Sequence, residues 1–129
     1  MGIYVANTVI KLMAQHDLPI NKANVLILGI TFKENCPDIR NSRVIDVIRE
    51  LQSFGTQIDI YDPEADEEEV KHEYDLILTK TPEKKYHAIV LAVGHQVFNQ
   101  LDWASIKVPN AVVYDVKGIL ERSKVTARL

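Results

Sequence analysis

The residues best suited to chemistry in this chain stand close together. They are Gly29-Ile30-Thr31-Phe32-Lys33, then Cys36, Asp38, Arg40 and Ser42. Lys33 supplies a mobile point charge, and Arg40 a planar fork that matches phosphate oxygens. A helix starting near Ser42 would add free backbone N–H groups and the positive end of its dipole. Phe32 can stack on a flat base or shield it from water. These types in this order describe an anion-holding strand–loop–helix. Plainer readings stand beside it. Lys33 and Arg40 can simply be solvated, Asp38 can pair with Arg40 or Arg43, Asn41 and Ser42 can do no more than cap a helix, and Phe32 can belong to the core.

The turn is not a dinucleotide fingerprint. That motif needs several glycines so that the backbone can approach a pyrophosphate. Here Gly29 is followed by the bulky Ile30, Phe32 and Lys33. Asp62, where such a domain often places a ribose-binding acid, reads with Pro63 as a strand stop. A phosphate loop of the G-K-[ST] kind is also missing. A phospho-receiver site needs clustered acids for magnesium, whereas this turn carries Lys33. Cys36 lies near two basic residues that favour a thiolate, but no histidine adjoins it and Pro37 follows, which suits a structural role. His16, His72, His87 and His95 lack metal-ligand spacing. His95 follows Gly94, where it can border a ligand or stand merely in a turn. Lys117 closes a late strand and is the second basic residue expected at the same edge.

Several short elements must position these groups. Gly2–Gln15 has helical periodicity in Val5, Val9, Leu12 and Met13, and Asp17-Leu18-Pro19 ends it. Strands are expected at 25–30, 57–61, 75–78, 88–93 and 111–116. Helices are expected at 42–54, from 64 to about 72, around 81–86 and within 98–106. Asn41 or Ser42 would cap the second helix and Gly55 would follow its end. Residues 118–129 read as a tail with at most one helical turn. This alternation describes an α/β, three-layer Rossmann-like domain with a parallel five-stranded sheet in the order 3-2-1-4-5. Ligands of such sheets bind outside the carboxyl ends of the strands, at the switch point beside strand 1. Fold alone also admits a non-catalytic flavodoxin-like binding or assembly module.

The 129 residues allow one domain with a real core. A net charge of −3 argues against wrapping nucleic acid. The single cysteine precludes an internal disulfide and fits a reducing cytoplasm. No apolar run approaches the ~18–20 residues that cross a bilayer. The expectation is a cytoplasmic protein without nucleic-acid or membrane partners.

The run Leu28-Gly29-Ile30-Thr31-Phe32-Lys33-Glu34-Asn35-Cys36-Pro37-Asp38-Ile39-Arg40-Asn41-Ser42 resembles the C-terminal, UDP-binding domain of the UDP-glucose/GDP-mannose dehydrogenase family. There a G-x-x-F-K segment precedes D-x-R-x-S. The likeness continues through Ile60-Tyr61-Asp62-Pro63, Ala92-Val93-Gly94-His95 with Phe98, and Tyr114-Asp115-Val116-Lys117-Gly118. The resemblance implies that residues 21–129 form the nucleotide-sugar-binding domain. It also implies that residues 1–20 end the family's middle, helical dimerisation domain, so that the chain is cut from something longer. Phe32 and Lys33 match positions that contact the UDP-sugar. Lys117 falls where many members have a substrate-contacting arginine. Arg40 matches an arginine that reaches the NAD, which is bound mainly by another domain. The glycine-rich and catalytic-cysteine motifs of full-length members are missing here, so the chain alone should be inactive. The variant of the run looks most like UDP-N-acetylglucosamine or UDP-N-acetylgalactosamine 6-dehydrogenases of bacterial surface-polysaccharide synthesis. A homodimer or higher oligomer is implied for the full-length protein.

Overall fold

Residues 25–28 and 88–91 are apolar at every position, so strands formed there must be covered on both faces. The computed structural model, which describes residues 2–129, satisfies that demand. Strand β1 (Asn24–Leu28) sends Val25 and Ile27 to one face and Leu26 and Leu28 to the other. Strand β3 (Tyr86–Leu91) does the same with Ala88 and Val90 against Ile89 and Leu91. With β2 (Gln57–Tyr61), β4 (Lys107–Asp115) and β5 (Ala127–Arg128) they form one parallel sheet, ordered β2-β1-β3-β4-β5.

The first face packs against helices α1 (Gly2–Gln15), α2 (Val44–Ser53) and α3 (Glu67–Tyr74). Helix α1 buries Val5, Ala6, Val9, Ile10 and Met13, and α2 buries Val44, Val47, Ile48 and Leu51. Each Val, Ile, Leu or Met side chain fully buried this way contributes about 1.5–3 kcal/mol. Among the described residues, no α-helix covers the second face. Two 3-10 turns, Gln96–Gln100 and Trp103–Ile106, cover it with Phe98 and Ile106.

The parallel five-stranded α/β sheet expected from the sequence is therefore present, and β2, β1, β3 and β4 keep the order expected of them. The fifth strand lies elsewhere. Residues 75–78 form no strand; Thr79 N–H gives a single bond to the Ile60 carbonyl. The chain's end instead adds β5 beside β4, where Thr126 bonds Val113 through both backbone and hydroxyl.

The expected helix around 81–86 is also absent, because β3 begins at Tyr86. Too few residues remain there to nucleate a helix. Helix α3 starts as its acids suggest: the Asp66 side chain accepts from the Glu68 and Glu69 N–H groups. Helix α2 ends as expected on Gly55, which sits at φ 88°. Its start differs. Asn41 takes a left-handed φ of 57° and Arg43 becomes the N-cap without a side-chain capping bond, so neither Asn41 nor Ser42 caps it.

Candidate functional site

Gly29 ends β1 and turns the chain sharply. Its φ of 96° and its N–H bond to the Tyr61 carbonyl bring the next two amides toward the end of β2. There Asp62 Oδ2 accepts from the Ile30 N–H at 2.7 Å and the Thr31 N–H at 3.2 Å. The Phe32 N–H then reaches the Asp38 carbonyl at 2.6 Å, which closes a loop over residues 32–38. Beyond it, the Tyr74 hydroxyl at the end of α3 donates to the Ile39 carbonyl. The loop is irregular in conformation but tied at each end.

A cleft opens where this loop meets α1, the start of α2 and the ends of β3 and β4. Thr31, Phe32, Asn41, Arg43, Val93 and Lys117 are among its walls, with Gly2 and Val5 of α1. The Phe32 ring is 58% exposed, so it belongs to no core. Lys117 is set by Asp115, a buried residue at the end of β4. Asp115 Oδ1 accepts from the Lys117 and Gly118 N–H groups at 3.0 and 2.7 Å, and Oδ2 from the Leu120 N–H at 2.7 Å. The Lys117 ammonium stands 3.6 Å from Glu34. The Glu34 carboxyl lies below its ordinary range, held there by its own backbone N–H and, further, by Lys117. An exposed pair of this kind adds little stability and yields readily to a competing anion.

Phe32 and Asn41 also border a second, shallower depression with Asp38 and Arg40. Arg40 is 81% exposed and forks onto Asp38, Nε to Oδ1 and Nη2 to Oδ2, each at 3.0 Å. That fork, with the Arg40 backbone N–H, lowers the Asp38 pKa to about 2. Lys33 is exposed on the loop tip and lines neither depression. The structure thus brings Phe32 and Lys117 to one cleft, places Arg40 across the Phe32 ring from it, and leaves Lys33 at the rim.

Four residues have roles here that the sequence reading did not assign them. Arg43 adds a cation to the cleft wall. Asp115 shapes the turn that carries Lys117. Asp62 is no mere strand stop, and His95 no idle turn residue; the two meet at 3.1 Å in a buried site under the loop. The available signal was positional: both stand at strand ends on the functional edge. Cys36 is a partly buried free thiol. Among the described residues, no group of His, Cys, Asp and Glu could hold a metal ion. No helix among them is long and apolar enough to cross a membrane.

A dinucleotide does not fit the residues present. Asp62 is committed to Ile30, Thr31 and His95, and a side chain grown from Gly29 would meet Val93 at 2.5 Å rather than an open phosphate path. The cleft suits a smaller arrangement: a flat ring against Phe32, with anionic groups toward Arg43, Lys117 and the uncapped start of α2.

Known proteins resemble this chain in sequence and in fold. The chain is 44% identical to a UDP-N-acetyl-D-glucosamine 6-dehydrogenase of Salmonella typhi over 133 residues, covering 100% of this chain and 31% of that protein. It is 41% identical to protein CapL of Staphylococcus aureus, covering 93% of this chain and 29% of that protein. It therefore spans about a third of the length of the curated relatives it matches. Among solved structures, an NDP-N-acetyl-D-galactosaminuronic acid dehydrogenase from Methanosarcina mazei superposes with a TM-score of 0.80 at 21% identity, over 94% of this chain and 26% of that one, which shows the shared fold. Residues 26–122 match the UDP-binding domain of the UDP-glucose/GDP-mannose dehydrogenase family, and the chain belongs to that family.

Proposed function

We propose that this chain is the nucleotide-sugar grip of an NAD-dependent UDP-sugar 6-dehydrogenase. The observation that carries the reading is the cleft itself, where an exposed aromatic ring at Phe32 faces two cations, Arg43 and Lys117, beside a helix start without a side-chain cap. The ring suits a uracil face, and the cations suit a diphosphate. Lys33 at the rim joins Phe32 and Lys117 in holding the UDP-sugar. Arg40 points outward toward an NAD carried by another part of the protein, in line with the absence of a dinucleotide site here. The relatives' names, UDP-N-acetyl-D-glucosamine 6-dehydrogenase among them, support a UDP-N-acetylhexosamine as substrate; the proposal adds a uronic acid product, made in the cytoplasm for bacterial surface polysaccharide. Residues 1–20 are assigned to the end of a preceding helical domain, and the whole protein to a homodimer or higher oligomer. With Cys36 in this loop rather than in a catalytic-cysteine motif, and with no glycine-rich nucleotide turn, this chain by itself should not turn over substrate.

The reading is tested by calorimetric titration with UDP. Lys33→Ala and Lys117→Ala should each weaken binding by roughly 1 kcal/mol or more, about fivefold, as expected for a charge-assisted contact. Lys11→Ala, on the exposed side of α1, should stay within the ~0.5 kcal/mol of a neutral surface change. Unchanged affinity in both the Lys33 and the Lys117 variant would count against the assignment.

A further inference from the structure

Asp62 and His95 are buried polar groups that the nucleotide-binding reading leaves without a task. His95 is 0% exposed, and Asp62 and Thr31 are nearly so. They come from three strand ends: Thr31 follows β1, Asp62 follows β2 and His95 follows β3. The Phe98 ring closes over the imidazole with centroids 5.3 Å apart.

The hydrogen bonds define one arrangement. His95 Nδ1 accepts from the Asn35 N–H at 2.8 Å, which leaves the ring hydrogen on Nε2. Nε2 lies 3.1 Å from both Asp62 Oδ2 and Thr31 Oγ1. The Thr31 hydroxyl donates to the Lys33 carbonyl at 3.0 Å, so its oxygen is left to accept from the ring. Asp62 Oδ1 takes the Glu64 N–H at 2.9 Å. Every donor in the cluster has an acceptor, the condition under which a buried polar network makes one conformation unique. A second bond locks the same junction in the other direction: Asn35 Oδ1 accepts from the Gln96 N–H at 3.1 Å.

The consequence falls on the loop. Asp62 fixes the amides of Ile30 and Thr31, and His95 fixes the amide of Asn35. Only Phe32, Lys33 and Glu34 lie between these anchors, and the Thr31 hydroxyl holds the carbonyl of the middle one. These three are the residues that face the cleft, form its rim, or pair with Lys117.

We infer that Asp62 and His95 are a pair of positioning residues whose buried contact holds the Phe32–Glu34 span in its ligand-ready shape and so sets the affinity of the cleft for the nucleoside diphosphate. The inference rests on the reading of that cleft as a nucleotide-sugar site. A pre-held loop binds better because less ordering remains to be done on association.

The test uses the whole chain with two readouts, amide hydrogen exchange and UDP titration. His95→Gln keeps an amide N–H for Asp62 but loses the acceptor for the Asn35 N–H. Ile89→Val, in the core on the same side of the sheet, serves as a comparator for general loss of stability. His95→Gln should speed exchange at Phe32 and Asn35 at least tenfold, with Ile27 and Val90 in the central strands unchanged, and weaken UDP binding about five- to tenfold. Ile89→Val should leave both loop exchange and UDP affinity as they were. Protected loop amides in His95→Gln, the same loop loosening in Ile89→Val, or a loosened loop with unchanged UDP affinity would each overturn the inference. If the unaltered chain shows no UDP binding at all, the nucleotide reading fails and the affinity half of the inference with it, whereas faster loop exchange in His95→Gln would still support the buried contact as what holds the span. Should His95→Gln not fold, Asn35→Gly removes the reciprocal bond at an exposed site whose φ of 56° glycine accepts. It should loosen Phe32 exchange and weaken UDP two- to threefold; no change in either would overturn the inference.

Discussion

Gly29→Ala should cost about 3–5 kcal/mol of folding stability, combining a strained left-handed residue with an overpacked contact. The backbone there has φ 96°, which an L side chain tolerates poorly. A Cβ would also stand 2.5 Å from Val93 Cβ and 2.9 Å from the Val93 backbone nitrogen. Backbone at the end of β3 cannot retreat as a flexible side chain could. For a chain of this size that loss lowers the thermal midpoint by about 10–20 °C. The same turn aims Ile30 and Thr31 at Asp62, so any folded population should also show a displaced Phe32 loop. A melting curve of the variant checks it; a midpoint within about 3 °C of the unaltered chain would contradict the geometry.

Asp115→Ala should destabilise by about 2–4 kcal/mol, because it removes a buried carboxylate that accepts charge-assisted bonds. Three amides, those of Lys117, Gly118 and Leu120, lose their acceptor together. Asp115→Asn is informative because it preserves size. Its amide nitrogen, placed where Oδ2 now stands, would set a donor against the Leu120 N–H. With the nitrogen placed at Oδ1, it would oppose the Lys117 and Gly118 N–H groups instead. Either placement leaves a clash of donors, so Asn should recover less than half of the loss. Denaturant unfolding measures these differences. Lys117→Ala separates the two roles of this turn: it should weaken UDP binding and leave stability within ~0.5 kcal/mol.

The sheet was legible because its strands are short apolar runs closed by glycine or aspartate, as at Leu28-Gly29 and Asp115. Helix α2 was legible from Val44, Val47, Ile48 and Leu51. Edges were less so. Ala127–Arg128 is too short to carry an alternation, and its place depends on Thr126 meeting Val113. The uncapped start of α2 escaped notice because Ser42 and Asn41 look like caps, yet the left-handed Asn41 hands the N-cap to Arg43. Of the proposed site residues, Phe32, Lys33, Arg40 and Lys117 could be named from residue type and family likeness. The work of Asp62, His95 and Asp115 could not be read there. Asp62 and His95 hold amides far away in sequence, which depends on register between strands. Asp115 holds amides within five residues, through a turn whose shape one sequence does not display.

The central claim is that the cleft bounded by Phe32, Arg43 and Lys117 receives the UDP part of a nucleotide-sugar. Amide shift mapping of the isotope-labelled chain during titration with UDP to millimolar concentration tests it most directly, because even weak binding is located. Saturable shifts concentrated at residues 31–43 and 116–118 are expected, with little response to uridine alone. Shifts centred instead on the opposite cleft at Asn99, Trp103, Lys107 and Lys124, or no saturable shift at all, would contradict it.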